Sequence, residues 1–123
     1  MNQPLTFKNA NTSLYCHQWA ETVKFYKIYL QLPIVFANDW FVEFKLTGNA
    51  YLSLANAQRA TIKSVQGQGI TITLQVEDIN GTWHYLQQQG LDVGPIKSHP
   101  WGAYVFYFFD PEGHRLEIWS KEL

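Results

Sequence analysis

The stretch DPEGHRLEIWS, residues 110 to 120, sets a carboxylate, Glu117, between Leu116 and Ile118. Alternation along a strand turns Glu117 away from both, onto the face it shares with Arg115 and Trp119. A carboxylate among aromatic rings can ligate a metal, hold a cationic ligand or serve as a general base. What stands beside it decides. The chain offers four histidines and one cysteine, Cys16. A single cysteine excludes an internal disulfide and a thiolate zinc site, and its apolar neighbours predict a small buried hydrophobe. His17 starts the loop after the first strand, and His84 reads as helix surface. His99 reads as a loop residue beside Pro100 and Trp101, and His114 as a solvated residue opening the last strand.

These residues are carried by a pattern that occurs twice. NTSLYCH (11–17) alternates as a strand. Trp19, Val23, Tyr26 and Leu30 then follow at spacings of one helix face, closed by Pro33. WFVEFKLTGNAYLSLAN gives two alternating runs around Gly48-Asn49, a two-residue hairpin signal. After a polar linker the order returns. ITITLQV (70–76) is a strand, Asp78 an N-cap, Ile79, Trp83 and Leu86 a helix face, and Gly90 a helix stop. AYVFYFF, the turn DPEG and HRLEIWS complete it, with Asp, Pro and Gly at places favoured in a type I turn. The tripeptide Tyr-Leu-Gln recurs late in both helices, at 29–31 and 85–87. The reading is a duplicated α+β unit: module one over about 11–57, a linker over about 58–69 and module two over about 70–121.

Composition narrows the classes of function. At 123 residues the chain is read as a single domain. A net charge of −1 supplies no basic footprint, so nucleic-acid binding is not expected. No run reaches transmembrane length and no signal or transit pattern is present, so the expected location is the cytoplasm, away from membranes. Aromatics at 16% against charged residues at 15% suggest a surface partly hidden in a pocket or against another subunit.

The chain resembles the vicinal oxygen chelate superfamily, which includes glyoxalase I, extradiol dioxygenases, fosfomycin-resistance enzymes and bleomycin-resistance proteins. Trp101-Gly102, DPEGH at 110–114 and LEIW at 116–119 carry the resemblance, with Phe25-Tyr26 as a secondary piece. It covers residues 11 to 121 and implies two βαβββ modules whose sheets curl around a shared cavity, helices outside, often completed as a homodimer. In metal-dependent relatives a Glu at the place of Glu117 is a ligand. The resemblance puts the other ligand positions at Asn11, Ser53 and Thr71, which are weak donors for first-row metals. His17 lies three pleats beyond Asn11, roughly 20 Å at strand rise. No cofactor is therefore expected; the alternative is one divalent ion on Glu117.

Alternation sorts the faces. Leu14, Cys16, Val42, Phe44, Leu46, Leu52, Leu54, Ile70, Ile72, Leu74, Val76, Phe106, Phe108, Leu116 and Ile118 go to the core. Tyr15, Phe41, Tyr51, Val105, Tyr107, Arg115, Glu117 and Trp119 go to the other face, with Glu43 and Lys45. Apolar walls with scattered polar groups suit a small-molecule pocket. The expected ligand-binding set is Tyr15, Phe41, Tyr51, Trp101, Tyr107, Arg115, Glu117 and Trp119. Glu117 requires a partner on desolvation: Arg115 on its own strand, Lys45 across the sheet, or a cationic ligand. The reading is a metal-free binding protein for a small aromatic or cationic molecule, closest in pattern to the bleomycin-resistance branch. The alternatives are a metal-dependent lyase or dioxygenase on Glu117, and an interaction module whose aromatic face is an oligomer interface.

Overall fold

The computed structural model describes residues 3–123. The chain divides into two compact units, Met1–Val65 and Gln66–Leu123. Each carries one mixed four-stranded sheet and one helix, a βαβββ arrangement of the α+β class.

In the first unit, β1 (Ala10–Cys16) leads through α1 (Trp19–Lys24) to β2 (Ile34–Ala37), β3 (Phe41–Thr47) and β4 (Ala50–Asn56). The sheet order is β1-β4-β3-β2, with β1 parallel to β4 and the rest antiparallel. The parallel contact follows from connectivity: a helix between β1 and the hairpin lets the last strand return beside the first in the same direction. Residues 48 and 49 turn the β3–β4 hairpin as expected, with Gly48 at φ +45°. The core face buries Leu14, Cys16, Val42, Phe44, Leu52 and Leu54, each large side chain stabilising by about 1.5–3 kcal/mol. Leu46, expected there, is only half-buried.

The expected first helix is regular only to Lys24. Phe25–Tyr29 form a widened π-type turn, in which the Leu30 amide donates to the Phe25 carbonyl at 3.4 Å. The buried face is consequently Thr22, Phe25 and Tyr26, while Trp19, Val23 and Leu30 are half-buried. Tyr26 packs on Phe44 with ring centroids 6.1 Å apart. Thr22 Oγ1 donates to the Gln18 carbonyl at 2.6 Å, and Trp19 Nε1 donates to the Leu54 carbonyl at 2.9 Å, so the polar atoms on this face are satisfied.

The second unit repeats the plan with β5 (Thr71–Gln75), α2 (Ile79–Gln88), β6 (Lys97–His99), β7 (Ala103–Phe109) and β8 (Arg115–Ser120), in the order β5-β8-β7-β6. Asp78 caps α2, its carboxylate accepting from the Gly81 amide at 2.9 Å. Gly90, at φ +86°, ends it. Its amide donates to the Gln87 carbonyl, and the Leu91 amide donates to that of Leu86. That double bond pattern satisfies two of the last carbonyls of the helix and needs a left-handed residue, hence glycine. Ile79 and Leu86 are buried with Phe106, Phe108, Leu116 and Ile118. Ile70, Ile72, Leu74 and Val76 are only half-buried, because β5 is an edge strand.

Two strands were not read from the sequence. β2 is four residues long, IVFA, all exposed, and β6 is KSH. Both are short edges without alternating burial, the signal a strand reading depends on. His99 therefore closes an edge strand, opposite Ala103, rather than lying in a loop.

Candidate functional site

The turn before β8 is built around one carboxylate. Asp110 Oδ1 accepts from the backbone amides of Glu112, Gly113 and His114, each at 3.0 Å. Its Oδ2 accepts from His114 Nδ1–H at 2.7 Å. His114 is thus not a solvated edge residue; it is 2% exposed. An imidazole can be buried there because a buried carboxylate accepts its proton-bearing nitrogen. The turn is closed further by the Gln66–Gly69 loop. A Cβ on Gly67 would stand 2.1 Å from the Gly113 carbonyl carbon, so two backbones meet where only glycine fits.

This turn fixes where β8 begins and hence which way Glu117 points. On the face opposite the helix, Glu117 is flanked by Thr73 of β5 and Tyr107 of β7. One row along, Arg115 lies between Thr71 and Phe109, and Trp119 lies between Gln75 and Val105. The Tyr107 side chain stands opposite Glu117 across the β7–β8 pair, and that carboxylate acts on its hydroxyl. The Arg115 guanidinium sits over the Tyr107 ring, 4.4 Å from its centroid, and Arg115 Nε donates to Thr71 Oγ1 at 3.1 Å. Trp101, 67% exposed, has its ring centroid 6.1 Å from that of Trp119 and 5.5 Å from that of His99.

Five of the expected contacts, Trp101, Tyr107, Arg115, Glu117 and Trp119, therefore gather on one face of the second sheet. Tyr15, Phe41 and Tyr51 belong to the first, where Tyr15 and Phe41 both pair with Ala55 and Tyr51 pairs with Asn11 and Lys45. Two expectations about partners for Glu117 change. Lys45 is in the first sheet and Glu117 in the second, so Lys45 does not reach it across a shared sheet. Arg115 makes no ion pair with Glu117: the two ion pairs among the described residues are Arg59–Asp39 and His114–Asp110. The Tyr107 ring is directly opposite Glu117 and lies 4.4 Å from the Arg115 guanidinium carbon. Val105 keeps the face expected of it, opposite Trp119, and is fully buried there.

Burial pushes the Tyr107 hydroxyl above its ordinary value of 10.0, the hydrogen bond to Glu117 and that carboxylate's charge add to the rise, and Arg115 opposes it. The neutral phenol is thus favoured in the folded chain. Stability from this source is fully present below the unfolded value and is lost as pH rises through the folded one. In an alkaline titration followed by phenolate absorbance, one tyrosine is expected to ionise late. Glu117→Gln should bring it part of the way back, because burial persists while the anionic acceptor is gone. A profile unchanged by Glu117→Gln would break the assigned contact.

The metal centre implied by the resemblance meets a poor donor set. Ser53 Oγ donates to Asn11 Oδ1 at 2.9 Å, and Thr71 Oγ1 already accepts from Arg115. Among the described residues no three His, Cys, Asp or Glu side chains gather as ligands. Neutral amide and hydroxyl oxygens at these positions are weak donors and do not fit a first-row divalent ion. His17 lies outside β1 and His84 is exposed on α2.

The sequence reading missed the Gln66–Gly69 loop, which it assigned to a linker. This loop, with Ile70, Thr71, Phe109, Gly113 and Arg115, lines a cleft of about 480 Å³. The paired glycines of QGQG were the available signal. A second cleft of about 310 Å³ is lined by Asp92, Gly94, Pro95, Lys97, Tyr107, Phe108 and Phe109. No described helix is long and apolar enough to cross a membrane.

Comparison with known proteins agrees with this architecture. A search of curated proteins returned no match. The fold is shared with a lactoylglutathione lyase from Agrobacterium tumefaciens, at TM-score 0.77 and 19% identity over 96% of each chain. A glyoxalase/bleomycin resistance protein/dioxygenase from Nocardioides superposes at TM-score 0.79 and 20% identity, over 97% of this chain and 85% of the other. A superfamily member from Sphaerobacter thermophilus gives TM-score 0.75 and 20% identity, over 94% and 98% of the two chains. Residues 10–118 match the model of one family, and the chain belongs to it: the Glyoxalase/Bleomycin resistance protein/Dioxygenase superfamily.

Proposed function

We propose that this chain is a metal-free binding protein of the glyoxalase/bleomycin-resistance type, holding a small aromatic or cationic molecule. The observation that carries the reading is the setting of Glu117. Its carboxylate stands opposite Tyr107 on the neighbouring strand and has no ion-pair partner among the described residues. The indoles of Trp119 and Trp101 lie on the same side of the sheet and in contact. A carboxylate beside electron-rich rings suits a cation or a planar donor, which gains charge, stacking and desolvation together. The donor set described above supports the metal-free half of the proposal. A homodimer acting in the cytoplasm belongs to the same proposal.

The test has two stages. Purified chain is equilibrated with Zn²⁺, Ni²⁺, Mn²⁺ and Fe²⁺, dialysed, and assayed for metal; a stoichiometry near zero is expected for each. Near one ion per chain would instead favour a metal-dependent lyase or dioxygenase on Glu117. Planar cations are then screened by tryptophan fluorescence. Glu117→Gln should weaken the best of them about tenfold, the usual scale of one charge-assisted contact. Unchanged affinity would remove Glu117 from the site.

A further inference from the structure

Arg115 is an exposed cation of this face whose guanidinium is held on two sides. Its Nε–H is committed to Thr71 Oγ1 and its plane lies over the Tyr107 ring. No carboxylate lies within ion-pair distance of it among the described residues. Two supports therefore fix the direction of the guanidinium, which makes no ion pair among the described residues. The Nη edge, the part that matches two oxygens at once, carries no hydrogen bond among the described residues.

The same side chain is a wall of the 480 Å³ cleft. The loop across the cleft contributes Gly67 and Gly69, and a Cβ on Gly69 would meet nothing within 4 Å, so backbone is open to a bound group there. The floor is tied by the Arg115 amide, which donates to the Ile70 carbonyl at 3.2 Å. Phe109 supplies an apolar side. Arg115 is exposed, so its charge is solvated in the free chain, and a fork already fixed on two sides loses little entropy on binding.

We infer that this cleft is an oxyanion subsite, in which the Nη edge of Arg115 takes a carboxylate or phosphate group of a small molecule bidentately. The inference rests on the reading of this face as a ligand site and adds the chemistry of one end of the ligand. A molecule with a cationic or aromatic part at Glu117 and an oxyanion at Arg115 satisfies both.

The experiment uses the full chain, ¹⁵N-labelled, titrated separately with inorganic phosphate and with benzoate at constant ionic strength. Saturable shifts are expected at the amides of residues 66–71 and at Arg115 Nε. Arg115→Gln should weaken binding about tenfold or more, through loss of the charged fork. Arg115→Lys, which keeps charge but not the fork, should recover only part. Thr71→Val should weaken binding several-fold by releasing the guanidinium. A preference for one probe identifies the oxyanion. Shifts that do not saturate, that spread over lysines elsewhere, or that persist in Arg115→Gln would overturn the site. Glu117→Gln separates the two readings: it should leave phosphate binding in place while weakening planar cations. Phosphate binding lost with planar-cation binding intact in Arg115→Gln supports the subsite alone.

Discussion

Gly67→Ala is expected to destabilise the chain by about 3–5 kcal/mol, lowering the thermal midpoint by roughly 10–20 °C. Two costs add. Gly67 holds φ +77°, a region disfavoured for a residue with a Cβ. The new methyl would also lie 2.1, 2.2 and 2.4 Å from Gly113 C, Gly113 O and His114 N, all backbone atoms that no rotamer change can withdraw. Gly69→Ala isolates the first cost, because φ is +76° but nothing lies within 4 Å of the added carbon. It should lose only about 1 kcal/mol. Urea or thermal unfolding of the pair decides the matter, and equal losses would mean that the close approach of loop and turn contributes nothing. Gly113→Ala, with φ +107° and a Cβ 2.5 Å from the Gln66 carbonyl oxygen, should behave like Gly67→Ala.

Asp110→Ala is expected to cost about 3–5 kcal/mol as well, for an electrostatic rather than a steric reason. Its removal strips the side-chain acceptor from three backbone amides and from His114 Nδ1 in a buried turn; of the three, the Gly113 amide also donates to the Asp110 carbonyl at 3.0 Å. Each amide left without an acceptor costs about 1 kcal/mol or more. Asp110→Asn keeps an oxygen for the amides and should lose less than half as much. His114→Ala should fall between them, since Oδ1 keeps its three donors while Oδ2 loses its partner. Amide exchange at 112–114 should accelerate in Asp110→Ala before the rest of β8 follows. If Asp110→Ala and Asp110→Asn were equally stable, the three amides would have to find other acceptors. Because the turn sets the start of β8, both substitutions should also loosen ligand binding at Glu117 and Arg115, without touching either residue.

These two effects sit on either side of what was legible in the chain. Asp110, Pro111 and Gly113 announced their turn by residue type, since the turn needs a side-chain acceptor first and a left-handed residue last. Asp78, Gly90 and Gly48-Asn49 were readable for the same local reason. The duplicated α+β order and the face of each long strand followed from periodicity, so Glu117, Tyr107, Arg115 and Trp119 were placed together correctly. Local chemistry and alternation act within a few residues, which is why sequence alone determined them.

Tertiary structure decided what depended on partners distant in the chain. His114 looked solvated because its burial depends on β8 pairing with β5 and on the loop at Gln66–Gly69 closing over the turn. That loop read as a linker because its glycines gain meaning only opposite Gly113. Arg115, two residues away on one face, was one candidate partner for Glu117, but cross-strand register set the Tyr107 ring against both. The short edges β2 and β6 lacked the periodicity that defines a strand and exist through pairing with β3 and β7. Sequence determined which side chains share a face; register and loop packing decided which of them touch, because those contacts join residues tens of positions apart.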